Sequence, residues 1–135
     1  MDTFNDLFSA LLDYPDLPLL LMRLVVGFVF VVAARNKLKD IAAFAEHNGL
    51  PVPVARALTV AEAAGAIGLI LGVLTQLSAL VIALTMVGSM SFHIFKWKSP
   101  YWAASGGWEY DLMIFSMAAV ILTTGGGDIA LLPTL

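Results

Sequence analysis

The 135-residue chain is 60% hydrophobic and 13% charged, with a formal net charge of −3 and no cysteine. Soluble domains average roughly 45–50% apolar and ~25% charged residues, so a water-soluble domain, and with it a separate soluble catalytic domain, is excluded. The net negative balance favours neither nucleic acid nor an anionic membrane surface, and the absence of cysteine removes disulfides, thiol relays and thiolate-held zinc or iron–sulfur clusters.

Along the chain, the segment from Met1 to Pro18 carries Asp2, Asp6, Asp13 and Asp16 and no Lys or Arg, unlike the basic start of a secretory signal; it is expected to be retained. Phe4, Leu7, Phe8, Leu11 and Leu12 lie at helical spacing opposite those aspartates, the pattern of a short interfacial helix that Pro15 and Pro18 interrupt. A membrane-spanning helix needs about 20 mostly apolar residues. Four such stretches follow, at about residues 17–36, 54–74, 77–95 and 108–124. Between the first two, Leu38, Ile41, Ala42 and Ala45 predict a second short interfacial helix, closed by Asn48-Gly49 ahead of Pro51 and Pro53. Thr75-Gln76 forms the tight turn between spans two and three. Ala64, Gly68 and Gly72, with Gly65 beside them, supply a small-residue face for close helix packing. The expectation is an all-α membrane protein: a four-helix up-down bundle forming one integral membrane domain over residues 1–135.

Charge sets the orientation. Arg35, Lys37, Lys39, Arg56, Lys96 and Lys98 all fall in or beside the connectors at 35–56 and 96–108, which the positive-inside rule places in the cytoplasm, with both termini outside. Trp97, Tyr101, Trp102, Trp108 and Tyr110 mark the same interface.

Charges inside spans cost about 2.5–3.5 kcal/mol each and mark functional positions. Because consecutive spans alternate direction, Lys37, Glu62, His93 and Glu109 share one membrane depth. Thr85, Ser89 and His93 form one polar face, Thr59 and Glu62 another, and Glu109, Met113 and Ser116 a third. Arg23 shares a face of span one with Lys37; it is equally read as a structural donor to backbone carbonyls. Lys37 also suits an interfacial anchor, His93 a helix end and Glu109 a helix N-terminus, where its charge favours the dipole. Glu62, with no cation one turn away on its own helix, must be protonated, paired across helices or wet. Two histidines, His47 and His93, and no close-spaced ligand set argue against a metal site, and Glu46-His47 reads as solvent-facing.

Arg23 and Gly27, Ala34 to Lys37-Leu38, Phe44 with Gly49-Leu50-Pro51, Glu62 with Gly65, Gly68 and Gly72, then His93, Glu109 and Asp128 together resemble the DoxX family. The family usually has glycine where this chain has Ala34. The resemblance implies a bacterial four-helix protein of the cytoplasmic (inner) membrane, related to the DoxD subunit of a thiosulfate:quinone oxidoreductase, with Arg23, Lys37, Glu62, His93 and Glu109 as its polar positions.

Three functions compete. The leading expectation is a quinone-interacting subunit or membrane partner of a redox system, without a covalently held cofactor. In it Arg23, Lys37, Glu62, His93 and Glu109 contact the quinone, and the catalytic candidates are Glu62, His93 and Glu109. The others are a non-catalytic scaffold or chaperone-like partner using the aromatic 96–108 connector, and a small transporter, for which a homo-oligomer would supply the room. The expected partners are the lipid bilayer, a redox protein and further copies of the chain.

Overall fold

The computed structural model describes residues 2–133; residues 1, 134 and 135 of the expected 1–135 domain, and the side chain of Asp2, lie outside the described residues. Those residues form six α-helices and one π-helical turn, without a strand among them: α1 (Asp2–Leu11), α2 (Asp16–Lys39), α3 (Ile41–Asn48), α4 (Val52–Leu71), α5 (Thr75–Ser91), the π turn (Phe92–Lys96) and α6 (Glu109–Thr124). Three helices are long and apolar enough to cross a membrane: α2 with 24 residues, α4 with 20, and α5 extended through the π turn with 22. Their outward faces carry exposed Leu21, Phe28, Val60, Leu71, Leu77 and Val87, an apolar exterior that water would not tolerate and lipid does. The fourth expected stretch corresponds to α6, which at 16 residues extends about 24 Å.

Local chemistry explains where the helices begin and end. Pro18 does not end a helix as expected: it lies in the first turn of α2, whose leading N–H groups have no intrahelical partner to lose. Asp40 caps α3, accepting a 3.1 Å bond from the Ala43 amide, and Gly49, at φ 68°, closes it with the Leu50 amide donating 2.8 Å back to the Ala45 carbonyl. The turn between α4 and α5 is shifted three residues from its expected place. Gly72 (φ 72°) and Leu74 (φ 48°) supply left-handed backbone there, and Thr75-Gln76 belong to α5.

Packing runs from α2 to α4, α4 to α5, α5 to α6, and more weakly from α6 back to α2; among the described residues α1 packs on no other helix. The core joins Val26 and Phe30 of α2, Ala66 and Leu69 of α4, Ala79, Ile82, Ala83 and Met86 of α5, and Ile114, Ala118 and Ile121 of α6. The close approach of α2 to α4 rests on Gly27, where a Cβ would stand 2.8 Å from the Ala66 carbonyl oxygen. The expected small-residue face serves α5 in part: Gly65 and Gly68 lie against Ser78 of α5, whereas Ala64 is exposed and Gly72 lies beyond the helix end. The buried face of α4 is instead Glu62, Gly65, Ala66 and Leu69.

At the end of the molecule that holds the N-terminus of α2, Arg23 organises the chain. It is 1% exposed, and its guanidinium donates to the carbonyls of Leu69 at 2.8 Å, Gly126 at 3.0 Å and Ile129 at 2.7 Å. The segment after α6 thereby folds back onto α4, and the Leu131 and Leu132 amides donate to the Leu71 and Gly72 carbonyls. Hydrogen bonds to charged groups are worth about 1.5–3 kcal/mol each. Arg23→Met is therefore expected to lower stability by at least ~3 kcal/mol and to expose residues 126–132 to limited proteolysis, with Arg23→Lys recovering part of the loss; thermal unfolding in detergent that is unchanged by Arg23→Met would contradict this role.

Candidate functional site

At the opposite end of α2, a cavity of about 540 Å³ opens between α3, α4 and α5. Phe44, His47 and Asn48 of α3 form one side, Leu58, Ala61 and Glu62 of α4 a second, and Val81, Leu84, Thr85, Gly88 and Ser89 of α5 a third; Lys37, Phe92, His93 and Trp97 complete it. The lining is mostly apolar with a few convergent polar groups, the composition of a small-molecule site. A Cβ built on Gly88 meets nothing within 4 Å, so this glycine leaves space where any other residue would project.

Two polar assemblies face the cavity. The first joins helices α2 and α4: Lys37 Nζ donates to Glu62 Oε2 at 2.7 Å, and the same ammonium stands 4.9 Å from the Phe44 ring centroid. Of the three outcomes open to Glu62, pairing across helices is the one observed. Its side chain is 6% exposed and that of Lys37 24%, so the carboxylate depends on the lysine more than the lysine depends on it.

The second assembly joins α5, the π turn and α6. Ser89 Oγ donates to Asp111 Oδ2 at 2.6 Å, and His93 Nε2 stands 3.7 Å from the same oxygen. This distance is an ion-pair contact for a protonated ring, too long for a hydrogen bond. On its other side, His93 Nδ1 lies 3.4 Å from Ser99 Oγ. Asp111 thus supports the ring from behind while the imidazole borders the cavity.

The π turn sets this arrangement. The Trp97 amide donates to the Phe92 carbonyl at 2.9 Å, five residues back, and such wide turns favour functional sites. It brings Trp97 between two histidines, with ring centroids 4.8 Å from His93 and 5.2 Å from His47. Lys96 Nζ then donates 2.8 Å to the Asn48 carbonyl at the end of α3, where the helix dipole favours a cation. Together these contacts hold α3 over the cavity.

The sequence-derived candidates divide accordingly. Lys37, Glu62 and His93 meet at the cavity; Arg23 and Glu109 do not line it. Arg23 lies fourteen residues before Lys37 on α2, about 21 Å along the axis. Glu109 begins α6 but turns beneath the 97–108 loop, its backbone amide donating to the Tyr101 carbonyl at 3.0 Å, with Oε2 buried beside Gly107 and without a hydrogen-bond partner among the described residues. The interior face of α6 is Asp111, Ile114, Ala118 and Ile121, not Glu109, Met113 and Ser116; the two acidic residues are two positions apart, about 200° around the helix. Their 3-4-3 spacing was the available signal for Asp111. His47 is exposed, as expected, and also borders the cavity, with Phe44 three residues before it on the same side of α3.

Compared with known proteins, the chain matches the family model described as DoxX over residues 18–95. No curated protein and no solved structure matches it. The matched stretch holds Lys37, Glu62 and His93; Asp111 lies beyond it.

Removing one partner of a buried ion pair strands the other. Lys37→Met is expected to cost about 3 kcal/mol by leaving Glu62 unpaired, whereas Lys37→Met combined with Glu62→Leu recovers most of that loss. Thermal unfolding in detergent measures both, and a double variant no more stable than the single one would contradict the pairing.

Proposed function

The chain belongs to the DoxX family of membrane proteins, and from that membership we propose that it is a quinone-interacting subunit or membrane partner of a redox system, with the Lys37–Glu62–His93 cavity as the quinone site. The observation that carries the reading is the meeting, in one largely apolar cavity, of an ammonium, an imidazole and a carboxylate, with Asp111 behind the imidazole. An apolar lining suits a hydrophobic ring and tail, and the few polar atoms suit a head group with two carbonyl oxygens.

A bound quinone accepts two electrons and two protons. With Asp111 facing its Nε2, the His93 ring donates to one carbonyl oxygen through Nδ1, in place of its 3.4 Å contact with Ser99 Oγ; Lys37 supplies positive charge beside Glu62; Glu62 and Asp111 hold protons at their carboxyl oxygens. Trp97 and α3 exclude water from the mouth. With no cysteine in the chain, electrons come from a redox partner protein or a reduced substrate. In this reading α6 is a fourth span, making an up-down bundle in the bacterial inner membrane, with the basic connectors 35–56 and 96–108 in the cytoplasm and both termini outside.

A second reading is a non-catalytic scaffold. It is favoured by Tyr101 and Trp102, which are 52% and 78% exposed in the connector after the π turn, side chains of the type that anchors partner proteins.

The two separate experimentally. Purified protein titrated with a short-chain ubiquinone is expected to show saturable quenching of tryptophan fluorescence, weakened at least tenfold by His93→Ala and abolished by Gly88→Leu, which fills the cavity. Quenching absent in the parent protein, or equal in all three, would exclude the quinone reading; a co-purifying partner lost with Tyr101→Ser and Trp102→Ser but kept with Gly88→Leu would favour the scaffold.

A further inference from the structure

A second recess of about 410 Å³ lies between α2 and α4. Its apolar part is formed by Val31, Ala34, Leu38, Ala63 and Ile67, and Arg35 and Lys39 stand at its end. Ala34 is 2% exposed and forms the floor, while Ile67, half exposed, forms part of the rim. Small side chains on both helices, Ala34 and Ala63, create the depression. Arg35 and Lys39 are four residues apart and therefore stand one turn above the other on a single side of α2. Lys37, at the quinone cavity, is two positions from each, about 200° around the helix, so the two recesses open on opposite sides of the α2–α4 pair.

These two cations differ from the others near them. Lys37 is committed to Glu62 and Lys96 to the Asn48 carbonyl, whereas Arg35 and Lys39 make no hydrogen bond or ion pair through their side chains among the described residues. The net charge of −3 conceals this local concentration. An apolar groove running along a membrane-spanning helix and ending in two unpaired cations at its polar end is complementary to one kind of ligand: an apolar chain bearing an anionic head.

We propose that this groove is a binding site for an anionic phospholipid, its acyl chain lying on Ala34 and Ala63 and its phosphate between Arg35 and Lys39. Basic recesses between membrane helices select anionic head groups, each Lys or Arg contributing about 1 kcal/mol. The site is separate from the quinone cavity and stands whether or not a quinone binds there.

The test uses the full chain in detergent, titrated with palmitoyl-oleoyl phosphatidylglycerol or the matching phosphatidylcholine, with bound lipid counted by native mass spectrometry. Phosphatidylglycerol is expected to bind more tightly than phosphatidylcholine. The double variant Arg35→Gln/Lys39→Gln weakens it about thirty-fold, from two charges at ~1 kcal/mol each and 1.4 kcal/mol per factor of ten. Ala63→Leu, which fills the groove and leaves both charges, weakens it as well, while Arg56→Gln/Lys98→Gln leaves it within twofold. Equal loss in the Arg56/Lys98 variant would reduce the effect to diffuse surface charge and overturn the site. Displacement of the lipid by inorganic phosphate with Ala63→Leu silent would mean a simple anion site, and a change in oligomeric mass with lipid binding unaltered would assign the groove to a second copy of the chain; either result overturns the proposal.

Discussion

A bilayer offers no water to a stranded polar group, so every charge carried inward by an apolar helix must be satisfied by another part of the same protein. That constraint shapes this molecule at both ends of its long helices. Near the start of α2, Arg23 is surrounded by the carbonyls of Leu69, Gly126 and Ile129; near its end, Lys37 reaches across to Glu62. The first arrangement uses backbone acceptors from the ends of other elements and acts as a clasp. The second uses a side chain on a neighbouring helix, and its charges remain at the edge of a cavity.

This contrast separates structure from chemistry among the few ionisable residues. A guanidinium that donates at least three hydrogen bonds while 1% exposed has few donors left to offer a ligand. An ammonium 24% exposed beside a carboxylate, with an imidazole bordering the same space, has charge and protons to share. Asp111 belongs with the second group although it does not line the cavity. By accepting from Ser89 and standing 3.7 Å from His93 Nε2, it ties α6 to the end of α5 and fixes the place of the ring beside the cavity.

Much of this organisation was legible in the sequence. Apolar length located α2, α4 and α5, and the alternation of span direction brought Lys37, Glu62 and His93 to one depth before any contact was known. Capping chemistry located the end of α3, because Gly49 acts through bonds made within a few positions; its start was not legible, since Leu38, expected in this helix, belongs to α2 and Asp40 caps α3. What the sequence concealed depended on contacts between distant segments. The face of α6 turned on which residue follows the 97–108 loop into the helix, and a difference of two positions exchanged Asp111 for Glu109. The π turn arises where α5 meets α3 and the loop, through Lys96 and Trp97, and no local pattern announces it. Arg23 could be assigned to carbonyls or to a ligand until the segment after α6 was seen to return to it, 103 positions later.

The proposed quinone site stands or falls with what occupies the space bounded by Glu62, Gly88 and His93. Photoaffinity labelling of the full protein in nanodiscs with an azidoquinone, followed by peptide mapping, tests it most directly. Label is expected only in the segments around residues 58–62 and 85–97, competed by excess ubiquinone and suppressed by Gly88→Leu. Label spread over the outward faces of α2 and α6, or unaffected by competition and by Gly88→Leu, would contradict it.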